Sequence, residues 1–174
     1  MHTYIDGISS RERLTWLNRI SRTQELVENG FDPEELSFAH PRIAITCWEG
    51  AVRVVGQQGY FVINVADELN TPCDVKMPVN PRDGVSATRR QLDRITSVIE
   101  EELGGPEGTK VIVHCAMGIE RSALAVAWFL RSRLGYGSLT AAYDAISAAR
   151  PIVADRSGWV GEELDVPMPG NQVA

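Results

Sequence analysis

The stretch from Val111 to Ser122 constrains the fold of this 174-residue chain more than any other segment. It begins with Val111-Ile-Val-His114, a short apolar run that is typical of a buried strand. A loop containing Gly118 follows, and a helix is predicted over Ser122–Leu134 from its apolar residues. Such a strand–loop–helix junction leaves main-chain N–H groups free at the helix start, where they attract anions. The sequence therefore predicts an anion-binding loop within an α/β fold.

The rest of the chain alternates between strand and helix patterns. Further strands are predicted at 42–48, Tyr60–Val65 and Val75–Val79, with a short helix or turn at about 50–58. Two more helices are predicted over Ser86–Leu103 and Ser138–Ala149. This alternation is typical of an α/β domain with a central, mostly parallel sheet of four to five strands flanked by helices.

Three segments are distinguished along the chain. Residues 1–40 are predicted to form a helical extension, with one amphipathic helix over 8–29 and a second, short helix that begins at Asp32-Pro33. Residues 41–152 form the main domain. Residues 153–174, which hold Pro167 and Pro169, are predicted to be an extended C-terminal tail.

Charge and cysteine content exclude several classes of function. The formal net charge is −6, and no basic stripe or cluster suggests binding to nucleic acid or to a membrane surface. The N-terminus does not read as a signal peptide, and no stretch approaches the length of a membrane-spanning helix. Three cysteines without regular spacing do not form a disulfide framework. We therefore expect a reducing, cytoplasmic setting with a free thiol.

Residue types in the anion-binding loop favour nucleophilic chemistry. Cys115 lies at the mouth of the loop, where a helix N-terminus and a nearby cation stabilise a thiolate. Arg121 lies at the helix start, and its planar guanidinium can bind two phosphate oxygens at once. Ser122 follows it, and its hydroxyl can donate a hydrogen bond to the sulfur. The pattern predicts a thiolate facing a bound phosphate.

These residues resemble a known signature. His114-Cys115-x-x-Gly118-x-x-Arg121-Ser122 is similar to HCxxGxxR[S/T] of the protein tyrosine and dual-specificity phosphatases, and the resemblance extends over about 42–151. It implies that Cys115 is the nucleophile and that Arg121 binds phosphate, with Ser122 and His114 in supporting roles. It implies no metal or other cofactor, and a phosphorylated protein or peptide as substrate. The substrate would be bound by the loop residues Ala116, Met117, Gly118, Ile119, Glu120 and Arg121.

The same resemblance implies a general acid on a separate loop. In the compact, dual-specificity branch this is an Asp about thirty residues before the cysteine, and Asp83 precedes Cys115 by 32 residues. Pro81 and Gly84 beside it suit a shaped loop. The compact branch often has its Asp closer to the Pro-Val pair, so Asp74 is kept as the alternative acid.

Several alternatives stay open at this stage. Glu120 places a carboxylate beside the phosphate site and disfavours polyanionic substrates, so a phosphoinositide or an RNA 5′-phosphate is a secondary hypothesis. A rhodanese-like phosphatase and an inactive phosphopeptide-binding module are two more. Cys47 and Cys73 are interpreted as core or loop thiols rather than redox partners of Cys115. Residues 1–40 could form a partner or dimer surface, and the sequence leaves the oligomeric state open.

Overall fold

The computed structural model describes residues 21–162, and the chain divides into two compact units, residues 1–32 and 33–174. In the first unit, residues 21–28 are helical, and the helix ends where the amide of Phe31 donates to Leu26 O at 2.9 Å. Gly30 has a φ of 97°, the left-handed conformation that often ends a helix. The predicted end at Asn29-Gly30 is confirmed, whereas positions 8–20 of that predicted helix lie outside the described residues.

The second unit is built on a five-stranded sheet. Its strands, in chain order, are β1 (Ser37–His40), β2 (Ile43–Thr46), β3 (Tyr60–Asn64), β4 (Val75–Lys76) and β5 (Lys110–His114). Their spatial order is β1-β2-β5-β3-β4, with β1 antiparallel to β2 and every other pair parallel. The predicted α/β class with a mostly parallel sheet is confirmed.

Helices cover both faces of this sheet. They are α1 (Trp48–Val52), α2 (Val85–Gly104), α3 (Arg121–Arg133) and α4 (Leu139–Ala149), with 3-10 helices at Pro81–Asp83 and Ser157–Val160. The three long helices predicted from the sequence are confirmed to within one residue at each end. None of the helices between residues 21 and 162 is both long enough and apolar enough to cross a bilayer.

Alternation along the strands explains the two-sided core. Ile43 and Ile45 of β2 pack with α2, α3 and α4 on one face, together with the corresponding residues of β3 and β5. Ala44, between them, points to the other face and packs in a smaller cluster with Ala51 of α1. Because β2, β3, β4 and β5 are parallel, the loops that follow them lie together at the carboxyl ends of the strands, called the carboxyl edge of the sheet below. Ligands bind at this position in open α/β sheets.

Two predictions about the ends of the domain are wrong. No second helix begins at Asp32-Pro33, because Pro33 O accepts from Arg150 and Glu34 O accepts from Thr46. The predicted helical extension also ends too late, since Ser37–His40 is strand β1. The predicted extended tail instead packs on the domain over 153–162, where Val153 and Val160 are buried, and 163–174 lie outside the described residues.

Candidate active site

The loop from Cys115 to Glu120 joins β5 to α3 at the carboxyl edge of the sheet. Gly118 is its conformational pivot, with a φ of 65°, in the left-handed region that side chains disfavour. A Cβ atom at this position would lie 2.6 Å from Thr46 O and 2.7 Å from Nη2 of Arg150. Glycine is therefore required both by the backbone conformation and by the packing of the loop against its surroundings.

The carbonyl groups of this loop point outward, to donors behind it. Each accepts one hydrogen bond, and Arg150 supplies two of the six. In order from Cys115 O to Glu120 O, the donors are His114 Nδ1 (3.2 Å), the Trp48 amide (3.2 Å), Arg150 Nη2 (3.1 Å), Arg150 Nε (2.7 Å), the Ala154 amide (2.9 Å) and the Leu124 amide (2.9 Å). The four carbonyls from Ala116 to Ile119 are thus held by donors from other parts of the domain.

The amides of the loop are arranged in the opposite way. Within residues 21–162, no protein acceptor is hydrogen-bonded to the amides of Ala116, Met117, Gly118 or Ile119. Because a planar trans peptide points its C=O and the following N–H in opposite directions, outward carbonyls leave these amides facing inward. They form a row of donors beside the N-terminus of α3, and such a row, called a nest, is a main-chain arrangement that can bind anions.

Cys115 lies within this row and is only 3% exposed. Its Sγ is 3.3 Å from Oγ of the fully buried Ser122, so the predicted hydrogen bond between hydroxyl and sulfur is formed. His114 is buried, and burial lowers the pKa of its imidazole, which favours the neutral ring. Its Nδ1 faces the Cys115 carbonyl, which can only accept, so Nδ1 carries the ring proton.

Arg121, the first residue of α3, forms a bidentate ion pair with Glu68. Its Nη1 is 2.6 Å from Oε2 and its Nη2 is 2.5 Å from Oε1. The hydrogen bonds from Arg121 lower the pKa of the Glu68 carboxyl to about 2, and the same contact raises the pKa of Arg121. The nearby Cys115 sulfur, in its thiolate form, raises that pKa further. The guanidinium thus remains charged beside the nest.

Glu68 was not singled out in the sequence. It follows β3, and β3 is the parallel neighbour of β5, so its loop meets the Cys115 loop at the same edge. The acidic pair Asp67-Glu68 directly after a buried strand was the available signal. It could be used only with the strand order, since the sequence alone does not say which strands are adjacent.

Glu120 is turned into an ion pair with Arg156. Nη2 of Arg156 is 2.7 Å from Oε1 of Glu120, and both side chains are about three-quarters buried. The guanidinium of Arg156 also lies 5.6 Å from the centre of the Trp159 ring. The carboxylate that looks unfavourable in the sequence is thus matched by a cation from the segment after α4.

Asp83 lies in the 3-10 helix after β4, exposed to solvent. Its Oδ2 accepts a hydrogen bond from Nε2 of Gln91 at 2.9 Å, and Oε1 of Gln91 accepts from the Asn80 amide at 2.8 Å. The Val79 amide bonds Val65 O, and the Val65 amide bonds His114 O, so main-chain bonds join the two loops through β3. The segment that leads from β4 to Asp83 therefore begins at the same end of the sheet as the Cys115 loop.

Asp74 is used differently. Its Oδ2 accepts from the Val62 amide at 2.7 Å, and its own amide donates to Val62 O at 2.9 Å. Just before β4, this carboxylate accepts a main-chain hydrogen bond from β3 that a neighbouring strand would otherwise accept. Asp74 therefore lies further from the carboxyl edge of the sheet than the loop that contains Asp83. The contacts of Asp74 are those of a residue that supports the sheet.

The other two cysteines lie among packed side chains, and all three cysteines are free. Cys47 is buried after β2, and burial raises the pKa of its thiol. Cys73 packs against the small cluster that contains Ala44. Both positions agree with the interpretation of Cys47 and Cys73 as core or loop thiols.

Comparison with known proteins identifies relatives of the domain. Residues 57–162 match the family described as "Dual specificity phosphatase, catalytic domain". Human DUSP28 is 20% identical with a TM-score of 0.61, over 75% of this chain and 90% of that chain. A mouse putative dual specificity phosphatase, solved with zinc tungstate, is 19% identical with a TM-score of 0.56, over 76% and 85%. Tk-PTP in its active form is 27% identical with a TM-score of 0.53, over 72% and 91%. No curated protein matches the chain.

Proposed function

The chain belongs to the dual specificity phosphatase family, and from this we propose that it hydrolyses phosphate monoesters through a phosphocysteine on Cys115. One observation carries the proposal: four consecutive amides, from Ala116 to Ile119, face inward around the Cys115 sulfur, which lies within hydrogen-bonding distance of the Ser122 hydroxyl. A tetrahedral oxyanion in this row would be bound by fixed main-chain dipoles, which is the usual source of most transition-state stabilisation.

In the first proposed step, the Cys115 thiolate attacks phosphorus in line with the ester oxygen. The S–P bond forms, the P–O bond to the leaving group breaks, and its electron pair stays on the departing oxygen. Asp83 donates a proton to that oxygen. The loop amides and Arg121 stabilise the charge on the three equatorial oxygens throughout.

In the second step, a water molecule attacks phosphorus and the S–P bond breaks. Asp83, now a carboxylate, accepts the proton of the water. The electron pair of the S–P bond returns to sulfur, where the Ser122 hydroxyl donates its hydrogen bond to the thiolate. The products are inorganic phosphate and the starting enzyme, so both steps balance without a further reactant.

The contacts of Asp83 suit this dual role. Gln91 donates to Oδ2 and leaves Oδ1 for the proton that is transferred. Gly84, with a φ of 98°, follows directly and gives the loop a conformation that other residues disfavour. The carboxyl group is exposed to solvent, and the proposed role requires it to reach a leaving group that projects out of the nest.

The loop side chains favour phosphoproteins as substrates. Ala116, Met117 and Ile119 are apolar, and Glu120 is paired with Arg156, so the variable positions add no cation to the site. A phosphoinositide or an RNA 5′ end carries additional phosphates that need such cations. We therefore place phosphotyrosine first, with phosphoserine and phosphothreonine in proteins as further substrates, and a reducing, cytoplasmic setting for the thiol.

The test is burst kinetics on an aryl phosphate. Wild-type protein should show a burst of phenolate equal to the enzyme concentration, and Cys115→Ser should show neither burst nor turnover. Cys73→Ser, which changes a half-buried cysteine elsewhere, is the matched control and should keep the burst. Absence of a burst in the wild type would favour the inactive phosphopeptide-binding module instead. A panel of phosphopeptides, inositol phosphates and nucleotides then tests the substrate class.

A further inference from the structure

We propose that Arg150 is a positioning residue for catalysis, which fixes the orientation of the phosphate-binding amides from behind the loop. The inference rests on the proposed function of the Cys115 loop. Arg150 follows α4 directly and is 0% exposed, and it is among the largest fully buried side chains of the domain. In the sequence it reads only as the end of a helix before Pro151.

Its guanidinium links the Cys115 loop to strand β1 and the residues before that strand. Toward the loop, Nε donates to Gly118 O at 2.7 Å and Nη2 donates to Met117 O at 3.1 Å. Away from the loop, Nη1 donates to Oγ of Ser37 at 3.0 Å and Nη2 donates to Pro33 O at 2.9 Å. One side chain therefore ties two consecutive loop carbonyls to strand β1 and the segment before it.

These two carbonyls determine where two of the four inward amides point. In a planar trans peptide, the carbonyl of Met117 lies opposite the amide of Gly118, and the carbonyl of Gly118 lies opposite the amide of Ile119. With both carbonyls bonded to Arg150, rotation of either peptide plane would break a charge-assisted hydrogen bond. The middle of the anion-binding row is thus oriented by Arg150.

The residue type fits this role. Burial of a guanidinium is costly unless its donors are paired, and here Nε, Nη1 and Nη2 all donate. A lysine keeps the charge but has a single donor atom, which cannot hold three carbonyls and a hydroxyl in a planar fork. Arg150→Lys therefore removes the orientation of the loop while it retains the positive charge.

Arg42 provides a matched control. It also donates to two main-chain carbonyls, from Nε to Thr109 O at 2.8 Å and from Nη1 to Leu103 O at 3.0 Å. It lies before β2, at the opposite edge of the sheet from the Cys115 loop. Arg42→Lys thus loses similar hydrogen bonds without touching the phosphate site.

The experiment measures inhibition by orthovanadate, an aryl phosphate kcat/KM and the thermal midpoint for each variant. Arg150→Lys should weaken vanadate binding and lower kcat/KM by about 10- to 100-fold, as expected when catalytic donors are misplaced. Arg42→Lys should lower the thermal midpoint but stay within about twofold of wild type in vanadate affinity. Equal vanadate affinity of Arg150→Lys and wild type would overturn the inference.

A second variant covers the case in which Arg150→Lys does not fold. Ser37→Ala removes only the hydroxyl that holds Nη1, and it should weaken vanadate binding about two- to fivefold with a folded domain. Unchanged vanadate affinity in this variant would then overturn the inference. Failure of wild-type protein to bind vanadate or turn over substrate would refute the proposed function itself, and with it the role of Arg150.

Discussion

Replacing Glu68 with alanine should lower kcat/KM for an aryl phosphate about fivefold, which corresponds to about 1 kcal/mol. Glu68 occupies Nη1 and Nη2 of Arg121, the end of the guanidinium. The Nε–H and the second N–H of Nη2 form the side edge, which remains available to two phosphate oxygens. Under the proposed function, we therefore expect Glu68 to hold Arg121 in the orientation that binds phosphate.

The expected fivefold decrease in kcat/KM follows from the solvent exposure of the Glu68 and Arg121 side chains. Hydrogen bonds to charged groups contribute about 1.5–3 kcal/mol when buried, whereas exposed ion pairs contribute about 0.2–1 kcal/mol. The Glu68 side chain is 54% exposed and that of Arg121 is 20% exposed, so a value near the boundary of the two ranges is expected. Because the carboxylate acts on the orientation of Arg121 during binding and reaction, both KM and kcat should change.

The assay is steady-state hydrolysis of an aryl phosphate, with Glu100→Ala as the matched control. Glu100 is 58% exposed and pairs with Arg133 on the helical surface, so it reports the effect of losing an ordinary ion pair. This control should leave kcat/KM within about 1.5-fold of wild type. A rise in kcat/KM or in vanadate affinity for Glu68→Ala would refute the reasoning, because it would show that Glu68 competes with phosphate for Arg121.

Four further predictions concern neighbouring groups. Asp83→Asn should remove the decline in rate toward alkaline pH that deprotonation of a general acid causes, and slow an alkyl phosphate about 100-fold or more, with less effect on a nitrophenyl ester; unchanged alkyl turnover would place the acid elsewhere. Ser122→Ala should slow phosphocysteine hydrolysis while the phenolate burst remains, measured by stopped flow, and a lost burst would contradict this. Gly118→Ala should lower the free energy of unfolding by more than about 1 kcal/mol in denaturant titrations, because its Cβ would lie 2.6 Å from Thr46 O, and wild-type stability would contradict that geometry. Pairing with Arg121 lowers the folded-state pKa of Glu68 to about 2, so the carboxylate stabilises the fold fully above its unfolded pKa and progressively less as pH falls toward 2. The difference in unfolding free energy between wild type and Glu68→Gln should therefore shrink below about pH 4.5. A difference that stays constant with pH would argue against the ion pair.

Local patterns predicted most of the domain. The buried strands were predictable from short continuous apolar runs, and the long amphipathic helix Val85–Gly104 from the helical period of its apolar residues. The prediction of a helix after Asp32 failed because its capping pattern is local, whereas the carbonyls of Pro33 and Glu34 accept from Arg150 and Thr46. The strand β1 that follows is held by pairing with β2. A helix-start signal of this kind is a weak preference that tertiary contacts override.

The site divides in the same way. Cys115, Gly118 and Arg121 could be chosen as candidates because they lie in one continuous segment, the loop after β5 and the first residue of α3. Glu68 and Arg150 were not predictable, because they reach this loop from β3 and from the end of α4 through the strand order and helix packing. Residues that act on a loop from other elements leave no mark in the loop's own sequence.

The central claim is that sulfur at position 115 carries the phosphoryl group during turnover. Rapid acid quenching with an aryl phosphate, followed by mass spectrometry of the peptide containing Cys115, tests it directly. Wild-type protein should carry one phosphoryl group on Cys115, and the phosphorylated fraction should rise in Ser122→Ala. Turnover with an unmodified Cys115, or a phosphoryl group trapped on another residue, would show that the Cys115 sulfur is not the nucleophile.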